Sequence, residues 1–294
     1  METADREDVA VVLADLELTR GLAVQLSAIG LLGIVVSWAL LSALFAAVTG
    51  QPPSLQFAPG VAWWTDALDV LVLVVLATVF VVPHEWLHGL AIRHYGGEPR
   101  YGVGVAHFVL PYAYATTDHE FSRNQFVVVL LTPLVAMTAV GVPLMLVTGW
   151  GWLVVPLAAN AGGAVADLWM TLVLLGYPAR VRLEDRASGV RIYGRESDRS
   201  RSVSVAAVAW DALAGAAVAA VGVLMALAVA GPFVLSALGV ESLTVGEPGT
   251  ITYLFAFTET AEEISLGVGP GVLVVGAAAG LVYAFGKSYL RGRG

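Results

Sequence analysis

The chain has 294 residues, of which 58% are hydrophobic and 13% charged, with a mean hydropathy of +0.80. Soluble domains carry about twice that charge, and several apolar runs exceed the roughly 18 residues of a spanning helix, so a multi-pass membrane protein is expected and a soluble globular one is excluded. A net charge of −8 argues against nucleic acid as a partner. The absence of cysteine excludes disulfides and thiolate metal sites, leaving His, Asp, Glu and water as ligands.

Residues 1–20 are acidic, with six carboxylates against Arg6 and Arg20. They lack the basic start and short apolar region of a signal peptide, so this segment is expected to be retained. The first span follows, from Gly21 to about Thr49, with a turn at Gly50-Gln51-Pro52-Pro53 and an outer loop to residue 65. The second runs from Asp66 to Arg93 and carries Val82-Pro83-His84-Glu85-Trp86-Leu87-His88-Gly89, with a kink expected at Pro83. Residues 94–124 are not a span. Gly96-Gly97 stops the helix, and 101–117 reads as a short hairpin or strand pair, re-entrant at membrane depth, whose edge could hold a peptide as an added strand.

The third span is expected over Phe126 to Leu146, with Thr132-Pro133 in its middle, and the fourth over Trp152 to Leu175. Residues 177–202 read as a polar loop with seven arginines. A fifth span covers Val203 to about Leu235, 236–267 forms an outer loop, and Val268 to Phe285 is the sixth. The expected architecture is an all-α membrane protein of about six transmembrane helices, with a β-hairpin-like segment after the second. Its parts are an acidic cytoplasmic N-terminus (1–20), a first helix with its outer loop (21–65), a membrane core (66–176), an Arg-rich cytoplasmic loop (177–202) and two further helices (203–294).

Charge sets the orientation. The N-terminus, 93–124, 177–202 and the tail hold all 15 Lys and Arg of the chain, while 50–65, 149–151 and 236–267 hold none. Since positive loops stay inside, both termini are expected in the cytoplasm, with the chain in the cell membrane.

The chemistry lies in His84-Glu85-x-x-His88. Two histidines four apart share one helix face and can hold one Zn²⁺, and the glutamate beside them can take a proton from water. An ionisable cluster in a spanning helix is costly unless it functions. His84 lies nine residues before Arg93, and Asp167 nine before Gly176, both at the expected inner ends of their spans. Each is therefore roughly 13 Å deep at ~1.5 Å per residue, which makes Asp167 the expected third ligand. Asp211, eight residues into the fifth span, lies at similar depth. His94 is the alternative ligand, completing a His-Glu-x-x-His-x-x-x-x-x-His spacing, although on a continuous helix it points away from the 84/88 face. Asn160, two turns before Asp167, is the candidate for binding the substrate backbone or the oxyanion of the transition state, with an interhelical hydrogen bond as the other reading.

These residues carry a resemblance. His84-Glu85-Trp86-Leu87-His88-Gly89, the segment ending in Phe121-Ser122-Arg123-Asn124-Gln125-Phe126, Thr132-Pro133 and Asn160…Asp167 resemble the DUF3267 family of zincin peptidases, which is in turn similar to the site-2 protease group of intramembrane metalloproteases. The resemblance covers roughly residues 66–176 and favours Asp167 over Asp211. In the site-2 group, prolines and a Leu-Asp-Gly follow the Asn, whereas here Leu168-Trp169 follow the Asp. The resemblance implies a zinc-dependent intramembrane endopeptidase, with Glu85 catalytic and Zn²⁺ on His84, His88 and Asp167, acting on membrane-embedded or membrane-proximal protein or peptide substrates. The alternatives are a non-catalytic zinc-binding membrane scaffold and a metal transporter. A transporter calls for ligands at several depths.

Overall fold

Thr19 starts the first long helix, its Oγ1 accepting the N–H of Leu22 at 3.3 Å, and Gly50 ends it in the left-handed conformation at φ 74°. Between them, α1 (Arg20–Thr49) leaves Val35, Val36, Leu40 and Val48 more than half exposed. A helix that is apolar all round and still uncovered suits a lipid surrounding. The computed structural model describes residues 10–53, 71–72, 75, 80–106, 110–186, 189–198, 205–260 and 264–291.

The chain divides into two units, residues 1–201 and 202–294. In the first, β1 (Val11–Glu17) and α1 are followed by α2 (Val81–His94), β2 (Arg100–Ala106), β3 (Leu110–Thr116) and β4 (Glu120–Ser122). Then come α3 (Arg123–Thr148), α4 (Val154–Gly163), α5 (Val165–Leu175), β5 (Arg182–Arg186) and β6 (Gly189–Gly194). β2 and β3 form an antiparallel pair in which Arg100 faces Thr116 and Gly104 faces Tyr112. A capping box starts α3: Ser122 Oγ accepts the N–H of Gln125, whose side-chain oxygen accepts the N–H of Ser122.

A four-stranded antiparallel sheet in the order β1-β6-β5-β4 caps one end of these helices. Leu13, Phe121, Leu183, Val190 and Ile192 of its inner face pack against Ile92 of α2, Phe126 and Val129 of α3 and Leu174 of α5 in one core. Its outer face carries arginines paired with acids: Arg186 and Arg191 with Asp15, and Arg182 with Glu120. A second core, of Phe45, Met145, Leu153, Val154 and Leu157, ties α1, α3 and α4 together at their other ends.

The second unit holds α6 (Val205–Met225), a π-helical turn (Ala226–Ala230), α7 (Gly231–Ala237), the antiparallel sheet β7 (Ser242–Val245), β8 (Phe255–Glu259) and β9 (Ile264–Val268), and α8 (Gly271–Arg291). α6 and α8 approach closely through Gly215, Gly276 and Gly280, whose missing side chains leave room for the facing backbone. Lys287, the single lysine of the chain, donates to Asp211 at 2.6 Å. Asp211 is thus held by a cation of its own unit.

Five described helical stretches are long and apolar enough to cross a membrane: Arg20–Thr49, Arg123–Thr148, Gly151–Leu175, Ala207–Ala237 and Gly271–Leu290. The span expected over 66–93 lies partly outside the described residues. The all-α expectation is corrected. Residues 177–202 are not a loop but supply two strands of the capping sheet, and the acidic N-terminal segment supplies a third. The segment 236–267 contains a sheet as well. Leu183, Val190 and Ile192 alternate with charged residues at period two, and that alternation buries one face.

Candidate metal centre

α2 builds the site. The described helix starts at Val81, so Pro83 stands in its first turn, where the missing N–H has no intrahelical partner to lose. Part of the chain before it lies outside the described residues, and with it the bend expected there. Four residues apart on one face, His84 and His88 bring their rings to 4.9 Å between centroids, edge to face. The next residue, Gly89, has the Tyr101 hydroxyl of β2 packed where a Cβ would stand. A side chain here would have to displace the Tyr101 ring.

Each histidine is oriented from behind. The Val129 carbonyl lies 2.9 Å from His88 Nδ1. A carbonyl only accepts, so Nδ1 carries the proton and Nε2 keeps its lone pair. That carbonyl is free for a reason in the sequence. Its helical partner would be the N–H four residues on, at Pro133, which has none. Asn160 does the same for His84, with Oδ1 2.8 Å from Nδ1.

The fourth span is not one continuous helix. α4 ends at Gly163 and α5 starts at Val165, which puts Asn160 on one helix and Asp167 in the first turn of the next. Gly162 lies against Ile34 and Gly30 of α1 so closely that a Cβ would overlap them, which fixes the break against α1. From its new helix, Asp167 sets Oδ2 3.5 Å from His84 Nε2 and 3.5 Å from His88 Nε2. Glu85 joins the group: His84, Glu85 and His88 each offer an atom within 4.8 Å of the others. The Glu85 carboxylate also meets the backbone of Ala115 on β3.

The group suits zinc. Around a tetrahedral Zn²⁺ with bonds of about 2.0–2.1 Å, ligand atoms stand about 3.3 Å apart. The observed 3.5 Å is close to that spacing and long for a charge-assisted hydrogen bond. Two imidazole nitrogens with lone pairs turned inward and one carboxylate oxygen could serve as three ligands, the number a catalytic zinc site takes from its protein.

Other sequence candidates lie elsewhere. His94 is exposed at the end of α2, its ring 5.0 Å from that of Tyr95. Asp211 belongs to the second unit.

The site opens into a cavity of about 740 Å³, lined by α1, α2, β3, α3, α4 and α5. Tyr112 to Ala115 of β3 form one wall, and Asp185 of β5 reaches in from the capping sheet. Two members of this site were not anticipated from sequence. Val129 acts through its backbone, and only Pro133 signals it. Asp185 breaks the strand pattern Arg182-Leu183-Glu184-Asp185-Arg186, standing on the face of buried Leu183. Burial pushes its carboxyl up to about 7.

Comparison with known families agrees with this geometry. Residues 77–182 match the DUF3267 family, described as "Putative zincin peptidase". The match begins just before α2, ends at the first residue of β5, and so contains the His-Glu-x-x-His motif, Asn160 and Asp167. No curated protein and no solved structure matches the chain.

Proposed function

We propose that this protein is a zinc-dependent endopeptidase embedded in the membrane, hydrolysing peptide bonds of membrane-embedded or membrane-proximal substrates in the manner of site-2 proteases. The observation that carries this reading is the placement of Asp167 Oδ2 equidistant from the two histidine Nε2 atoms, beside Glu85 and in an open cavity. His84, His88 and Asp167 would hold the metal. Bound there, Zn²⁺ supplies Lewis-acid polarisation of the peptide carbonyl and acidifies water.

The chain's own groups do the rest. Glu85 takes one proton of the attacking water as its oxygen adds to the carbonyl carbon. It passes that proton to the amide nitrogen as the C–N bond breaks, giving an amine and a carboxylic acid that keeps the second water proton until it ionises. Asn160 spends Oδ1 on His84, and its buried Nδ2 has no partner among the described residues. A buried unpaired donor is costly, and a substrate carbonyl would satisfy it. A spanning helix must unwind to expose its carbonyls, and the β3 wall of Tyr112 to Ala115 offers an extended template beside Glu85.

The test is cleavage by the zinc-loaded full-length protein in detergent, with Glu85→Gln beside wild type. The variant is expected to keep its zinc and lose at least 100-fold in cleavage. Undiminished cleavage would remove Glu85 from the mechanism. Zinc binding with no cleavage in either protein would favour a zinc-holding scaffold.

A further inference from the structure

The geometry points to Asp185 as a specificity subsite that binds a Lys or Arg side chain of the substrate next to the catalytic group. This rests on the peptidase reading above and adds the class of residue the site selects.

Asp185 is the acid that the mechanism does not use. It lines the same cavity as His84, Glu85, His88 and Asp167, but comes from the capping sheet, just beyond the segment matched to the family. Strand alternation explains its aim: Arg182, Glu184 and Arg186 stand on one face of β5, and Leu183 and Asp185 on the other. Leu183 is fully buried in the apolar core. An aspartate at the next inward position is therefore exceptional and is aimed at the cavity.

Its natural partners are committed elsewhere. Arg186 and Arg191 pair with Asp15, Arg182 with Glu120 and Arg180 with Asp198. The described cavity wall includes no Lys or Arg. Asp185 hydrogen-bonds Thr116 and the backbone of Thr117 but is mostly withdrawn from water, so its negative charge is costly there, and a substrate cation beside it relieves that cost.

The spacing fits a peptide. Glu85 faces the backbone of Ala115 on β3, and Asp185 faces that of Thr117, the residue just after the end of β3. Two residues of chain reach at most about 7 Å, so an extended substrate with its scissile bond at Glu85 carries a side chain to Asp185 within about two positions. Membrane helices carry Lys and Arg beside their cytoplasmic ends, so such a subsite on the capping sheet reads a common feature of membrane substrates.

The test measures binding apart from cleavage. Full-length Glu85→Gln protein, zinc-loaded in detergent, is titrated with dye-labelled peptides capped at both ends, of sequence Val-Ala-Lys-Ala-Val-Ala and its norleucine counterpart, and with the norleucine peptide left uncapped at its amino end. The capped Lys peptide is expected to bind about tenfold tighter than the capped norleucine peptide. Adding Asp185→Asn or Asp185→Ser should abolish the difference while zinc content stays at the level of the parent. Equal binding of the two capped peptides, or a preference that survives both Asp185 variants, overturns the subsite. A gain only for the uncapped peptide also overturns it, and assigns Asp185 to a terminal ammonium. Cleavage of the Lys peptide by wild type, lost in Glu85→Gln, tests the peptidase reading separately: a Lys preference without cleavage sinks that reading and leaves the cation site.

Discussion

Asp167 Oδ2 stands 3.5 Å from both histidine Nε2 atoms, a spacing that would suit ligands of one zinc ion, and two hydrogen bonds behind the histidines fix which nitrogen each turns towards Asp167. Groups of that second kind typically contribute 10–100-fold to metal affinity. Asn160→Ala should therefore weaken zinc binding by about that factor, measured by competition with a chelator, and an unchanged affinity would make Asn160 a substrate residue only. Asp185 gives a different signature. Its carboxyl is raised from the usual 3.8 to about 7 by burial, so the folded state keeps a proton that the unfolded state releases. Stability from this group is then fullest below about pH 4 and is lost as pH rises towards 7. Melting curves in detergent should show wild type losing ground to Asp185→Asn between about pH 4 and 7. A constant difference across that window would mean that the carboxyl is not so perturbed.

At the scale of elements, the site depends on two interruptions. Pro133 leaves the Val129 carbonyl to His88, and the break after Gly163 turns Asp167 towards the histidines. Pro133→Ala restores an N–H that competes for the Val129 carbonyl. It should strengthen α3 and weaken zinc binding by about tenfold, a pairing of effects that simple loss of packing would not give. The sequence points to the histidines and Asp167 through four-residue spacing and equal depth, and the fold brings the three side chains together. The role of Asn160 was half legible: both a substrate contact and an interhelical bond were expected, and the bond falls on His84 itself. The capping sheet was not legible. Its strands are short, charged on one face and drawn from residues 11–17, 120–122 and 182–194, so their pairing is non-local and leaves only a brief alternation in any one segment. Seven arginines make 177–202 read as a loop, which hides the inward placement of Asp185.

On the scale of the molecule, a chain without cysteine makes orientation directly testable. With both ends in the cytoplasm, exposed Ser197 of the first unit lies inside, and exposed Ser242 of the second lies outside. Ser242→Cys should react with an impermeant maleimide on intact cells, and Ser197→Cys only after lysis. The reverse pattern would invert the topology and put the capping sheet outside. The metal centre is tested by counting zinc per chain in detergent-purified wild type, Asp167→Ala and His94→Ala. One zinc is predicted for wild type and His94→Ala and none for Asp167→Ala. Loss in His94→Ala with retention in Asp167→Ala, or no zinc in wild type even after reloading, would contradict it.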